Sequence, residues 1–115
     1  MKSSVTLKQN SDFRRLYAKG KSSANRYLVL YCRRSGRALN RMGYTVSARL
    51  GGAVVRNRVR RRLREIARLN MPALKTGFDI VVVARSRAVT ADYAELDRAY
   101  REACSALGLL REDKT

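Results

Sequence analysis

Residues 56–65 read Arg56-Asn57-Arg58-Val59-Arg60-Arg61-Arg62-Leu63-Arg64-Glu65, six arginines and a single acid in ten positions. Like charges one helical turn apart destabilise an isolated helix. Yet Val59, Leu63, Ile66 and Ala67 recur at helical spacing through and just beyond the run. A disordered basic tail would not keep an apolar period. The segment therefore predicts a helix that lays one stripe into a core and offers the other to a polyanion. At ~100° per residue, Arg60 and Arg64 form an i, i+4 pair with Arg56 one turn earlier. Arg61 and Arg68 flank that row, and Asn57 precedes Arg61 by a turn. Arginines so spaced can follow a phosphate backbone, and Asn57 adds a hydrogen-bonding head. Glu65 reads as a structural partner for a nearby arginine.

The rest of the chain concentrates the same field. Of its 115 residues, 26 are Lys or Arg and 9 are Asp or Glu, for a formal net charge of +17. Residues 1–64 hold 18 of the cations and one acid, Asp12, whereas residues 65–115 hold eight of each sign. All the net charge thus lies in the N-terminal part, and the C-terminal part reads as neutral scaffold. A charge density of this kind fits nucleic acid or an anionic surface as partner. Arginine outnumbers lysine 20 to 6; guanidinium forks bind phosphate bidentately and stack on bases. No apolar run reaches membrane-spanning length. Cys32 and Cys104 are far apart in sequence and lack metal-site spacing, and no signal peptide is visible, so a reducing, cytoplasmic compartment is expected.

The length suggests one domain covering residues 1–115, with 111–115 as a flexible polar tail. A first helix is expected over residues 10–20, capped by Asn10 or Ser11 and closed by Gly20, with Phe13, Leu16 and Tyr17 at i, i+3 and i+4. Residues 26–33 read as a strand with Tyr27, Val29 and Tyr31 on one face and Leu28, Leu30 and Cys32 on the other. Ser35 to Asn40 reads as a polar turn and Met42 to Ser47 as a strand interrupted by Gly43. Gly51-Gly52 breaks the chain before the basic helix at 53–70, which Pro72 ends. Phe78 to Arg85 is apolar on both faces, as a central strand is. Thr90 is expected to cap a last helix with Tyr93, Leu96, Tyr100, Ala103, Cys104 and Leu107 buried and Gly108 at its end. The order α-β-β-α-β-α predicts an α+β fold with a mixed sheet.

The chemistry-bearing residues are sparse. The chain has no histidine, which excludes a two-histidine ribonuclease centre and any histidine metal site. No carboxylate pair stands out, and neither cysteine has a histidine partner. Gly51-Gly52 is followed by no Gly-Lys-Ser/Thr and is not a phosphate loop. No catalytic side chain is proposed. Phe13, Tyr17 and Tyr31 could converge if the first helix packs on the tyrosine face of the first strand. Core packing and base stacking are both open to them, the latter worth ~1–3 kcal/mol per base.

Several of these pieces, in order, resemble the bacterial ribonuclease P protein component. Arg56-Asn57-x-x-Arg60-Arg61-x-x-Arg64-Glu65 matches that family's signature, as do its lead-in Gly52-Ala53-Val54-x-Arg56-Asn57, the Asp12-Phe13 helix start, Ala24-Asn25-Arg26, and Met42-Gly43-Tyr44-Thr45-Val46-Ser47. The resemblance spans nearly the whole chain. It departs from the family at Tyr17, often phenylalanine there, and at Arg60, usually lysine. It implies a sheet of about four strands with three helices in the order α-β-β-β-α-β-α, and a left-handed β-α-β crossover where right-handed ones are the default. It also implies an accessory subunit of a ribonucleoprotein endonuclease that removes the 5′ leader of precursor tRNA. The hydrolysis would depend on Mg²⁺ held mainly by the RNA subunit, at one protein per RNA. By the same resemblance Arg56, Asn57, Arg60, Arg61 and Arg64 would face the catalytic RNA, and the helix spacing adds the flanking Arg68 to that surface. Phe13, Tyr17 and Tyr31 would line a cleft for the leader. A ribosomal-type rRNA-binding protein explains charge and size equally but not the ordered signature. A stand-alone nuclease lacks catalytic groups here, and a DNA-binding regulator lacks a helix-turn-helix pattern.

Overall fold

The computed structural model describes residues 4–111; residues 112–115 of the expected tail lie outside the described residues. Phe78–Ala84 (β5) is the middle of a five-stranded sheet. Its Ile80, Val81 and Val82 are all fully buried, as its two-sided apolar pattern requires. Asn40–Thr45 (β4) runs parallel to it on one side and Leu28–Arg34 (β3) antiparallel on the other. The outer strands are Ser4–Thr6 (β1), parallel to β4, and Lys21–Ala24 (β2), antiparallel to β3, giving the order β1-β4-β5-β3-β2. Neither outer strand carries a sequence signal. β1 is three residues long and partly exposed, and β2 is Lys-Ser-Ser-Ala.

The helices divide between the two faces. Asn10–Lys19 (α1) lies on one; Ala53–Asn70 (α2) and Tyr93–Ala106 (α4) lie on the other. The α2/α4 side holds the main core, in which Leu28, Leu30, Ile80 and Val82 of the sheet meet Val59, Leu63 and Ile66 of α2 and Leu96, Tyr100 and Ala103 of α4. The stripe expected in the basic helix is therefore the buried one, and its 53–70 bounds are as expected. Replacing a fully buried leucine such as Leu63 by alanine costs ~2–5 kcal/mol at sites of this kind. The α1 side has a small cluster, Leu7, Leu16 and Val81, bordered by Phe13, Tyr31 and Val83. The unequal layers leave much of that sheet face open.

Several expectations are corrected. Arg87–Thr90 (α3) is a short helix of its own, so Thr90 does not cap α4. Asp92 does, accepting from the Glu95 amide at 2.8 Å while Glu95 accepts from the Asp92 amide at 3.0 Å, a capping box. Tyr93 is 39% exposed rather than buried. Tyr27 precedes β3 and turns to the α4 side, where its hydroxyl donates to Glu95 at 2.9 Å; it does not share the Tyr31 face. Asn40 is fully buried and opens β4 instead of ending a turn. Its amide donates to the Lys75 carbonyl at 2.9 Å and its oxygen accepts from the Phe78 amide at 2.9 Å, so it ties the entry of β4 to that of β5. No side chain caps α1, whose first turn follows Gln9.

Candidate nucleic-acid interface

Alternation along the strands decides what faces α1. Val29 and Tyr31 of β3, Arg41, Gly43 and Thr45 of β4, and Asp79, Val81 and Val83 of β5 share that face. The pairings Tyr31–Val81, Gly43–Val81 and Thr45–Val83 bring them into register. Leu16, 1% exposed, plugs α1 onto the sheet. Phe13, one turn before it, and Tyr17, the next residue, flank the contact. Phe13 rests on Gly43, where a Cβ would come within 2.7 Å of its ring. Tyr17 meets Tyr31 edge to face, centroids 5.0 Å apart at 70°, and lies 6.5 Å from Phe13. The Tyr17 hydroxyl and Thr45 Oγ1 are hydrogen-bonded at 2.8 Å. The three aromatics anticipated in sequence thus converge. Phe13 and Tyr31 are half-buried, while Tyr17 is 41% exposed.

An ion cluster links α1 to the sheet. The Arg41 guanidinium donates to both carboxylate oxygens of Asp79, Nε–Oδ1 2.7 Å and Nη2–Oδ2 2.6 Å, and reaches Asp12 of α1 at 3.5 Å. The bond to Asp79, above all, raises the Arg41 pKa further. Sequence reasoning missed this triad because its members are 29 and 38 residues apart. The one acid of residues 1–64 was the available clue.

The arginine helix divides its side chains between scaffold and surface. Arg58 and Arg62 donate to the carbonyls of Val89 and Ala91 at 3.5 and 3.1 Å, binding the α3 segment. Arg56, half-buried, donates to the Gly51 carbonyl at 3.2 Å and closes the glycine turn. Arg68 pairs with Glu65 at 2.7 Å, and that bond holds the Glu65 carboxyl below its usual range. Arg61 is exposed, with no side-chain hydrogen bond among the described residues. Arg60 donates to Asn57 Oδ1 at 3.1 Å. Arg64 lies over the Tyr44 ring, 5.9 Å from its centroid, a cation–π distance; burial pushes the Tyr44 hydroxyl up to about 12.

The two constellations meet. A groove of about 510 Å³ is lined by Asn10, Phe13, Arg14 and Tyr17 of α1, by β4 and its exit at Tyr44, Thr45 and Val46, and by Arg60 of α2. Aromatic faces, a hydroxyl pair and two guanidinium groups line one channel, the combination that holds unpaired nucleotides. Tyr44 and Arg14 were not singled out in sequence. The groove has no catalytic pair. Among the described residues no three acidic or cysteine side chains cluster as a metal site. Asp12 and Asp79 converge on Arg41, which engages both carboxylates.

Comparison with known proteins agrees with the geometry. A family model described as Ribonuclease P matches residues 1–108. The ribonuclease P protein component of Alkaliphilus oremlandii is 46% identical over 99 residues, 86% of this chain and 87% of that protein. The one from Thermoanaerobacter sp. (strain X514) is 45% identical over 98 residues, 85% of this chain and 84% of that protein. The solved RNase P protein of Staphylococcus aureus superposes with a TM-score of 0.84 at 31% identity, covering 92% of this chain and 97% of that one. That of Thermotoga maritima gives 0.78 at 32% identity, covering 84% and 92%.

Proposed function

The chain belongs to the ribonuclease P protein family, and from that premise we propose that it acts as the accessory subunit of the holoenzyme, binding the catalytic RNA through α2 and the 5′ leader of precursor tRNA through the aromatic groove. The observation that carries this reading is the continuity of the groove from Phe13 and Tyr17 to Arg60. A strand lying on the aromatics would reach the arginine helix, and so the catalytic RNA, without leaving the protein.

The protein's work is differential binding. Leader bases stack on the exposed ring of Tyr17 and the edges of Phe13 and Tyr31, while Arg14 and Arg60 neutralise the phosphates between them. Mature tRNA has no leader and gains none of this. Each stacked base, at ~1–3 kcal/mol, favours precursor over product by roughly 5- to 150-fold. Arg61 and Arg64, with Arg60 and Asn57, present α2 to the catalytic RNA. Arg56 and Arg68, tied within the protein, contribute field and positioning, and Arg68 can exchange Glu65 for a phosphate. Mg²⁺ supplies the hydrolytic chemistry and belongs to the RNA subunit. One protein would serve one RNA in the cytoplasm; no helix among the described residues is long and apolar enough to cross a membrane.

The test is precursor-tRNA cleavage by the protein, by the catalytic RNA, and by both, at low Mg²⁺ and near-physiological salt. Cleavage only, or far faster, with both together is expected. Equal rates for RNA alone and the mixture would favour an rRNA-binding role. Cleavage by the protein alone would overturn the assignment of chemistry to RNA.

A further inference from the structure

At the opposite end of β5 from the aromatic groove, and largely on the other face of the sheet, is a hollow of about 340 Å³. Five of its nine lining residues are cations: Lys19 at the end of α1, Lys21 of β2, Arg33 and Arg34 of β3, and Lys75 before β5. None of the nine is an acid. All five cations are exposed. Among the described residues none of them has an ion pair or a side-chain hydrogen bond. Arg34 instead stacks over the half-buried Phe78 ring, 5.7 Å from its centroid, which leaves its N–H edge free. Lys19 also serves to offset the C-terminal dipole of α1, but the other four are on strands or a loop, where no helix end calls for them. Five like charges around one hollow repel one another, and an anion between them relieves that repulsion.

We propose that this hollow is a second phosphate site, for the backbone of a single-stranded RNA, separate from both α2 and the aromatic groove. Its cations come from four segments and converge on a concavity, so they can surround consecutive phosphates. Phe78 under Arg34 supplies an aromatic edge of the kind that accompanies strand binding. Phe78 lines the hollow, whereas Tyr44 and Thr45 of the groove pair with Val82 and Val83, about 15 Å further along β5. The protein would then engage RNA at both ends of its sheet. The inference does not depend on which RNA the aromatic groove takes.

The experiment measures binding of fluorescent oligouridylate to the free protein between about 50 and 200 mM salt. A Lys21→Ala/Arg34→Ala/Lys75→Ala variant is compared with a control losing the same charge from α3 and α4, Arg87→Ala/Arg98→Ala/Arg101→Ala, and with Tyr31→Ala. Circular dichroism checks that each is folded. If two phosphates are held, the first variant flattens the slope of log K against log salt by about 1.4 and weakens binding roughly ten-fold at 150 mM. The control changes much less, and Tyr31→Ala weakens binding at unchanged slope. Equal losses in the variant and the control would overturn the proposal, since bulk charge alone would then explain both. So would a variant that loses inorganic pyrophosphate binding by calorimetry but keeps its RNA affinity, which would make the hollow a site for small phosphates.

Discussion

A methyl group added at Gly43 would lie 2.7 and 2.8 Å from two Phe13 ring atoms and 3.3 Å from Leu7 Cβ. Backbone freedom is not what glycine provides there; it provides a floor low enough for the Phe13 ring. Gly43→Ala is therefore expected to lift Phe13 into the groove, weakening precursor-tRNA binding severalfold at a stability cost of ~1–3 kcal/mol; unchanged precursor affinity would count against this account of the floor. Gly20 acts similarly, since a Cβ there would be 2.6 Å from the Leu16 carbonyl oxygen and 2.9 Å from that of Cys32. At the same scale, Phe13→Ala and Tyr31→Ala should each weaken precursor binding about 5- to 150-fold, by the stacking range, and leave mature tRNA nearly unchanged. Binding assays that found equal losses for the two RNAs would remove the aromatics from the leader path. Gly43 was legible in the sequence as an interruption of a strand and as part of the ordered signature, but not as a floor, because that purpose depends on a ring 30 positions away.

The element that matters most is α2, in which one helix serves three neighbours. Its apolar stripe enters the main core, Arg58 and Arg62 hold the α3 segment, and Arg60 and Arg64 face outward. Replacing Arg60 and Arg64 together by alanine should weaken assembly with the catalytic RNA and lower the salt slope of that binding by up to about two, with stability little changed; titrations in which the slope stayed constant would deny these side chains phosphate contacts. The corresponding change of Arg58 and Arg62 should instead lower stability, because two carbonyl contacts are lost, so thermal melting separates the two pairs. Asp92→Ala removes a reciprocal cap from α4 and should cost about 1 kcal/mol.

For the molecule as a whole, charge and burial set opposite limits on stability. With 18 cations against one acid in residues 1–64, the folded state concentrates positive charge that a bound polyanion relieves. Sulfate should therefore raise Tm more than chloride at equal ionic strength, as preferential binding to the native state requires; identical Tm values would show that no anion site of useful affinity exists in the free protein. Burial acts at high pH. It pushes the Cys104 thiol up to about 12 from an ordinary value near 9, and the Tyr44 hydroxyl likewise to about 12. Below about pH 9 both states keep the thiol protonated. Between 9 and 12 only the unfolded chain ionises, so stability falls as pH rises, by about 2 kcal/mol at pH 10.5 from Cys104 alone. Urea midpoints at pH 8 and 10.5, with Cys104→Ala as the comparison, measure that share; the same drop in the variant would assign it elsewhere.

What the sequence by itself determined is everything whose signal is local or periodic. The α2 stripe, the two-sided strand β5, the alternation of β3 and the Arg/Asn decamer were readable because period and composition are properties of neighbouring residues. The ordered signature carried the family. Tertiary structure alone decided the rest. It recruited β1 and β2, which have no strand pattern of their own and exist because β4 and β3 offer them hydrogen-bonding edges. It turned Tyr27 away from Tyr31, joined Asp12, Arg41 and Asp79 into a cluster linking α1 to the sheet, and divided the arginines of one helix into structural and outward-facing sets. Each of these depends on which side chains long-range packing brings within a few ångströms, and spacing along the chain does not encode that distance.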